Sequence, residues 1–240
     1  MRIINVGDRV MNTWIYEIPD GYVMIDTGYP GKMKSVEKRM KRHGIQWSDI
    51  RCLFLTHAHD DHAGFLNELM QKCPHISVIA NPDSLPVLRK GQNPFIGGCS
   101  TLKAFLFCKC MSLWGKGKHL FPPISEAFDD RIMWITQETR KALETRLGGT
   151  ILFTPGHTGD SVSLKVGRVI FLGDAAMNGF PSSRRITIWV EDAAAFGQSW
   201  DLLISEDADT LYPAHGKPFA KEELARFRPA VDRIGLYTLK

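Results

Sequence analysis

The sequence has 240 residues, of which 44% are hydrophobic, and it carries a formal net charge of +4. This length and apolar content allow one large core, so we predict a single domain over residues 1–240. The basic residues are dispersed, which argues against nucleic acid as a partner, and no apolar run approaches membrane-spanning length. Residues 1–7 lack the pattern of a signal peptide, so we expect a cytoplasmic protein with no membrane partner.

Three short β-prone runs open the chain, separated by glycine, aspartate and proline residues that are typical of antiparallel hairpins. They cover residues 2–6, 13–18 and 22–25. A basic helix is predicted over residues 32–43. Asp26 ends the third run, and we interpret it as a turn or cap residue. Because it precedes the strand that leads to a histidine cluster, a hydrogen bond to a metal ligand is the alternative.

Residues 56–64 read Thr-His-Ala-His-Asp-Asp-His-Ala-Gly and follow a predicted buried strand. Protonated histidines that lie close together repel one another, and so do ionised carboxylates. A divalent cation bound among them removes both repulsions. His57 and His59 are two apart in extended chain and point to the same side, so they can share one metal. Asp61 and His62 stand at the start of the next segment, in which apolar residues recur periodically. Their side chains are therefore turned toward a second metal position beside the first. The pattern therefore supplies ligands for two metals, each of which needs further ligands and room for water.

Strands then alternate with helices, which predicts an α/β layer arrangement. Residues 91–123 break this rhythm as an apolar helical insertion, because the predicted helix over 102–114 is apolar on nearly all sides and must be covered. We interpret it as an ordinary buried helix, or as a lid over the metal site, the face of a homodimer, or both of these. Together with Phe121, the same segment could line an apolar pocket for a small-molecule substrate.

The second half of the chain places one ligand-type residue after each of three short predicted strands. His157 lies in Thr-Pro-Gly-His-Thr-Gly, Asp174 in Gly-Asp-Ala and His215 in Ala-His-Gly. The small neighbours leave room for a metal and its water. An isolated histidine is more often structural. Together, however, these two imidazoles and one carboxylate supply what the first motif lacks.

The order and separation of these motifs resemble the metallo-β-lactamase fold superfamily of metal-dependent hydrolases. The resemblance implies a four-layer αβ/βα sandwich that holds two divalent metal ions, with Zn²⁺ preferred and Mn²⁺ or Fe as alternatives. Asp26 matches the supporting aspartate of the family. The implied ligands are His57, His59 and His157 for one metal and Asp61, His62 and His215 for the other, with Asp174 as the bridge.

The resemblance also narrows the expected activity. Antibiotic-hydrolysing members generally lack a bridging aspartate, so Asp174 argues against a true β-lactamase. His59 stands where flavodiiron members carry a glutamate, and the nucleic-acid-processing members usually add a long inserted domain. The remaining branches resemble glyoxalase II-like, lactonase-like and small phosphoesterase proteins. We therefore expect hydrolysis of a small ester, thioester, lactone or phosphodiester.

The expected mechanism uses two metal ions about 3.5 Å apart that share a hydroxide, because the cations stabilise this anion near neutral pH. The hydroxide is the nucleophile. Asp174, as the bridge, and Asp61, as a proton relay to the leaving group, are the expected catalytic residues. Water is the alternative relay, because a carboxylate bound to metal is a poor base.

Two other classes of function remain open. The first is a mononuclear iron oxidoreductase of the persulfide dioxygenase type, because imidazole and carboxylate ligands suit iron as well as zinc. The second is a ligand sensor without catalysis, which has little support because every ligand is present. Arg184 and Arg185 could bind a carboxylate or phosphate, or they are solvated loop charges.

Overall fold

The structure is a computed structural model that describes residues 1–115 and 117–239. Its strands, in chain order, are β1 (Ile3–Asn5), β2 (Trp14–Ile18), β3 (Gly21–Ile25), β4 (Ile50–Phe54), β5 (Ser77–Ala80), β6 (Gly98–Cys99), β7 (Ile132–Trp134), β8 (Thr150–Phe153), β9 (Val162–Val166), β10 (Val169–Gly173), β11 (Trp189–Val190), β12 (Thr210–Pro213) and β13 (Phe219–Ala220).

The α-helices, in the same order, are α1 (Met33–Arg42), α2 (Leu66–Lys72), α3 (Leu85–Lys90), α4 (Leu102–Leu113), α5 (Arg140–Leu147), α6 (Ala193–Ser205) and α7 (Glu222–Val231). Short 3₁₀ helices cover Trp47–Asp49, Pro82–Ser84 and Glu126–Arg131. Within the described residues, no helix is long and apolar enough to cross a bilayer.

The chain divides into two compact units. Unit 1 comprises Met1–Asn93 and Leu120–Gly149, and unit 2 comprises Pro94–His119 and Thr150–Lys240. Most of the predicted insertion therefore belongs to unit 2. The single domain over residues 1–240 stays a prediction.

Unit 1 is built on a six-stranded sheet in the order β1-β2-β3-β4-β5-β7. The predicted antiparallel meander is present from β1 to β3, and β3, β4, β5 and β7 run parallel. Helix α1 buries Met33, Val36 and Met40, whose spacing places them on one side of a helix. Because β3 and β4 are parallel neighbours with Ile25 opposite Phe54, the residues that follow both strands meet at one edge of the sheet.

Unit 2 is built on a five-stranded sheet in the order β13-β12-β10-β9-β8, beside a two-stranded ladder of β6 and β11. Strands β10 and β12 are parallel, so both end at the same edge. Strand β9 is antiparallel to β8 and to β10, so the end of β8 lies at that edge as well. The three segments that carry predicted ligands in this half therefore start from one edge. Helix α6 covers the sheet with Phe196, Trp200 and Leu203, which are fully buried.

The predicted apolar helix forms as α4, but the exposure of its side chains contradicts one of the interpretations. Only Ala104 of this helix is buried, whereas Leu102, Leu106 and Leu113 are exposed. The ordinary buried helix is therefore wrong for α4, while the lid and the dimer face stay predictions. Phe121, considered as a pocket wall, is buried in the core of unit 1.

Candidate metal centre

Asp26 anchors the histidine motif in unit 1. It accepts hydrogen bonds from the backbone N–H of Thr56 at 2.8 Å, from the Thr56 hydroxyl at 2.8 Å and from Nδ1 of His62 at 2.7 Å. Its backbone has a φ of 59°, which is rare outside glycine. The hydrogen bond to a ligand-type histidine, predicted as one of two roles of Asp26, is therefore present in the structure.

The same network selects the tautomers of two histidines. Because the Thr56 hydroxyl donates to Asp26, its oxygen can accept from Nδ1 of His57, 3.2 Å away. Nδ1 of His62 donates to Asp26 directly. With both protons assigned to Nδ1, each ring presents Nε2 to a ligand, the arrangement that supporting carboxylates enforce in metal sites.

The four ligand-type residues of unit 1 are packed together. The ring centroids of His57 and His59 are 4.7 Å apart, and those of His57 and His62 are 3.8 Å apart. A carboxylate oxygen of Asp61 lies 3.8 Å from Nε2 of His62. The three histidines are buried, and Asp61 is largely so. Burying imidazoles this close suits a bound cation, because protonated rings would repel one another.

Asp174 is the centre of the corresponding set in unit 2. Its Oδ2 lies 3.6 Å from Nε2 of His157, and its Oδ1 lies 3.6 Å from Nε2 of His215. Each carboxylate oxygen therefore faces a different imidazole. These distances exceed those of good hydrogen bonds. A carboxylate that offers one oxygen to each of two histidine-bound ions requires this arrangement.

The turn that carries His157 is held from several sides. The Trp189 carbonyl accepts a hydrogen bond from Nδ1 of His157 at 2.8 Å, which leaves Nε2 for a ligand. The Glu191 carboxylate accepts from the backbone N–H of Gly159 at 2.9 Å. Burial raises the pKa of Glu191 to about 7. A Cβ on Gly156, which has a φ of 126°, would lie 2.3 Å from the backbone nitrogen of Phe196.

Sequence reasoning missed several supporting residues. Asn93 exchanges hydrogen bonds with Asp60, donating to its carboxylate and accepting from its backbone N–H, both at 2.8 Å. Thr27 donates from its hydroxyl to the His62 carbonyl at 2.7 Å. The position of Thr27 beside Asp26 was a signal that could have been used. Nothing local marks Asn93, because its partner lies 33 residues away.

The donor sets are chemically suited to divalent metals. Imidazole and carboxylate ligands accept zinc, manganese and iron. The set in unit 1 has three imidazoles and one carboxylate, and the set in unit 2 has two imidazoles and one carboxylate. His75 is outside both sets, since its Nε2 pairs with the Trp47 carbonyl, and His119 lies beside the ring of Phe95.

Comparison with known proteins gives a family match over most of the chain. The family model described as the metallo-beta-lactamase superfamily matches residues 6–215. Protein YobT of Bacillus subtilis is 25% identical over 236 residues, which cover 93% of this chain and 90% of YobT. The probable metallo-hydrolase YflN of the same organism is 24% identical over 182 residues, which cover 70% of this chain and 62% of YflN.

A solved structure supports the fold. TTHA1623, described in a di-iron-bound form, superimposes with a TM-score of 0.65 at 20% identity, covering 96% of this chain and 100% of its own. At this identity the likeness concerns the fold alone. Together with the family match, it confirms the predicted α/β class and the predicted fold.

Proposed function

Because the chain belongs to the metallo-β-lactamase superfamily, we propose that it is a dinuclear metal-dependent hydrolase of a small ester, thioester, lactone or phosphodiester. One observation carries this proposal. The two oxygens of Asp174 face His157 and His215 separately, each at 3.6 Å, as a carboxylate bridging two ions would. The family match and the name of YflN, a probable metallo-hydrolase, support the coarser statement of a metallo-hydrolase.

The proposed ligand assignment follows the order of the family motifs. Zn²⁺ is our preferred ion, with Mn²⁺ or Fe as alternatives, because all three accept imidazole and carboxylate. The proposal includes a small-molecule substrate and a cytoplasmic location. The ligands are His57, His59 and His157 for one ion, Asp61, His62 and His215 for the other, and Asp174 for both.

Divalent ions in such a site supply Lewis acidity and bring the pKa of a ligand water toward neutrality. The protein's contribution is to hold its imidazoles as Nε2 donors. Asp26 does so for His62, the Thr56 hydroxyl for His57 and the Trp189 carbonyl for His157. These contacts orient the rings before a metal arrives, which reduces the reorganisation that binding requires.

Two carboxylates have proposed catalytic roles. Asp174 stands between two imidazoles and would neutralise part of the positive charge of the bound ions. Asp61 is less buried than the histidines and lies next to His62, so it is the candidate to pass a proton to the leaving group. Because Asp174 is the proposed bridge, we propose that the substrate is not a β-lactam antibiotic.

The first test is a count of metals in the purified protein by plasma mass spectrometry. About two zinc or manganese ions per chain are expected. Asp174→Asn should lose metal and turnover together in a screen of lactones, thioesters and phosphodiesters. Asp130→Asn is the matched control, because it removes an exposed carboxylate at the surface of unit 1.

A fully metallated and active Asp174→Asn protein would contradict the bridging role. About one iron per chain, with oxygen consumed on a persulfide substrate, would replace the hydrolase by the persulfide dioxygenase alternative. Stoichiometric metal with no turnover on any substrate class would favour the ligand sensor. The metal count and the activity screen therefore separate the three functions.

A further inference from the structure

Two cavities in unit 2 share the lining residues Arg184, Ala230 and Arg233. The first has a volume of about 180 Å³ and is also lined by Arg226. The second has a volume of about 130 Å³ and carries hydroxyl groups from Ser100, Thr101 and Ser183. Among the described lining residues of both, there is no aspartate or glutamate. The walls are therefore cationic, with guanidinium groups as the main hydrogen-bond donors, because the Ser100 hydroxyl already donates to the Thr187 carbonyl.

Other arginines of the same elements have carboxylate partners. Arg185, next to Arg184 in the chain, is paired with Glu223. Arg228 lies between Arg226 and Arg233 in sequence and is paired with two aspartates, Asp201 and Asp232. Acidic side chains are thus available in this region, and they neutralise these two arginines.

The three arginines that line the cavities lack this neutralisation. Within the part of the chain that the structure describes, no carboxylate lies at ion-pair distance from Arg184, Arg226 or Arg233. Arg226 instead lies over the ring of Phe227, 5.3 Å from its centroid. Three like charges around two cavities with shared walls repel one another, and an anion between them removes that repulsion.

The backbone at Arg184 explains how its side chain comes to line both cavities while that of Arg185 does not. Arg184 and Arg185 have φ values of 56° and 63°, a left-handed conformation that non-glycine residues rarely adopt. The two neighbouring side chains consequently diverge, so that Arg185 reaches Glu223 while Arg184 lines both cavities. This conformation closes a two-residue turn between Ser183 and Ile186, which pair as an antiparallel bridge.

We propose that these cavities form a binding site for a phosphate group, held by Arg184, Arg226 and Arg233. The planar guanidinium matches the oxygens of phosphate in two parallel hydrogen bonds. Phosphate offers more oxygens and more charge than a carboxylate, and so suits several arginines with nearby hydroxyls. The Thr101 hydroxyl oxygen accepts from the backbone N–H of Ala104, so its hydrogen remains for an anion. The site does not depend on the proposed hydrolase function.

The phosphate could belong to a free small molecule or to a lipid headgroup. The second cavity includes Thr101, the residue immediately before α4. Helix α4 exposes Leu102 and Leu106 with Lys103 and Lys109, and residues 84–125 contain no aspartate or glutamate. An apolar and basic surface beside the cavity is suited to an anionic membrane surface. The two sources share the phosphate chemistry, and vesicle binding distinguishes between them.

The test is calorimetric titration of the metal-loaded full chain with inorganic phosphate. Arg184→Gln and Arg233→Gln should each weaken binding by about tenfold or more, because each removes a charge-assisted contact. Arg42→Gln is the matched control, because Arg42 is an exposed arginine at the end of α1. This substitution changes the net charge by the same amount as the other two. It should bind phosphate as the wild type does. Circular dichroism of each variant confirms folding.

The second arm uses phosphatidylcholine vesicles with and without phosphatidic acid. Sedimentation that requires phosphatidic acid and is lost in Arg233→Gln identifies a lipid headgroup, whereas binding of inorganic phosphate alone identifies a free ligand. Both results support the site. Phosphate or vesicle binding that is unchanged in Arg184→Gln and Arg233→Gln overturns it, as does an equal loss in Arg42→Gln. Phosphate binding that is abolished only by His215→Ala also overturns it, because the anion then sits at the metal ligands.

Discussion

Replacing Asp26 with asparagine should weaken metal binding with a limited effect on the fold. Asp26 is almost fully buried and accepts three hydrogen bonds, two from Thr56 and one from His62. Asparagine keeps the size of the side chain and one acceptor oxygen, and it tolerates the left-handed backbone found here. The change is therefore confined to the loss of one acceptor and of the charge.

The consequence for His62 follows from the hydrogen-bond pattern. An asparagine that directs its NH₂ group at Nδ1 of His62 makes this nitrogen an acceptor, and the ring proton moves to Nε2. A protonated Nε2 cannot bind a metal. Loss of such a supporting contact typically lowers metal affinity about 10- to 100-fold. The unmet donors should destabilise the metal-free protein by about 1 to 3 kcal/mol.

Competition with a chelator measures the metal affinity, and unfolding of the chelator-treated protein measures the stability of the metal-free form. The nitrogen chemical shifts of His62 report its tautomer. Asp60→Asn is the matched control, because Asp60 is buried in the same loop, pairs with Asn93 and has no proposed ligand role. It should retain its metals. Wild-type metal affinity in Asp26→Asn, or a tautomer of His62 that does not change, would refute the reasoning.

Three further predictions concern the rest of the molecule. Gly156→Ala should cost at least about 1 to 3 kcal/mol more in unfolding free energy than Gly159→Ala, because only the first Cβ meets the backbone of Phe196 at a positive φ; equal denaturant midpoints would contradict this. The pKa of Glu191 is raised to about 7, so the folded carboxyl keeps a proton that the unfolded one loses near its ordinary value of 4.5. This group's contribution to stability therefore falls as pH rises between these values, and Glu191→Gln should exceed the wild type in melting temperature at pH above about 7 and match it at pH below about 4. If α4 is a dimer face, the wild type should scatter light as a dimer and Leu106→Glu, which changes an exposed residue, as a monomer; a wild-type monomer at micromolar concentration removes the dimer.

The helices show where local pattern was sufficient and where it was not. Helix α1 was predicted within one residue at each end, because its apolar residues repeat at helical spacing. Helices α5 and α6 were not predicted. The start of α6 was marked, since Asp192 accepts hydrogen bonds from two backbone N–H groups as an N-cap residue.

The sequence by itself determined the ligand types and the strands that carry them. The spacing of His57, His59, Asp61 and His62 is local, so side-chain chemistry and backbone period were enough to predict ligands there. Likewise, β10 and β12 and the residues at their ends were evident from short apolar runs beside glycines. These features depend on a few neighbouring residues, which a sequence displays in order.

Only the tertiary structure decided which distant groups support those ligands. The contact of Asp26 with His62 spans 36 residues, and that of His157 with the Trp189 carbonyl spans 32. A carbonyl acceptor carries no side-chain signature at all. The exposure of α4 could not be predicted from the sequence either. The apolar content of a helix indicates that its surface should be buried, but which surface buries it depends on the tertiary packing. Cooperative packing, rather than local propensity, sets those contacts.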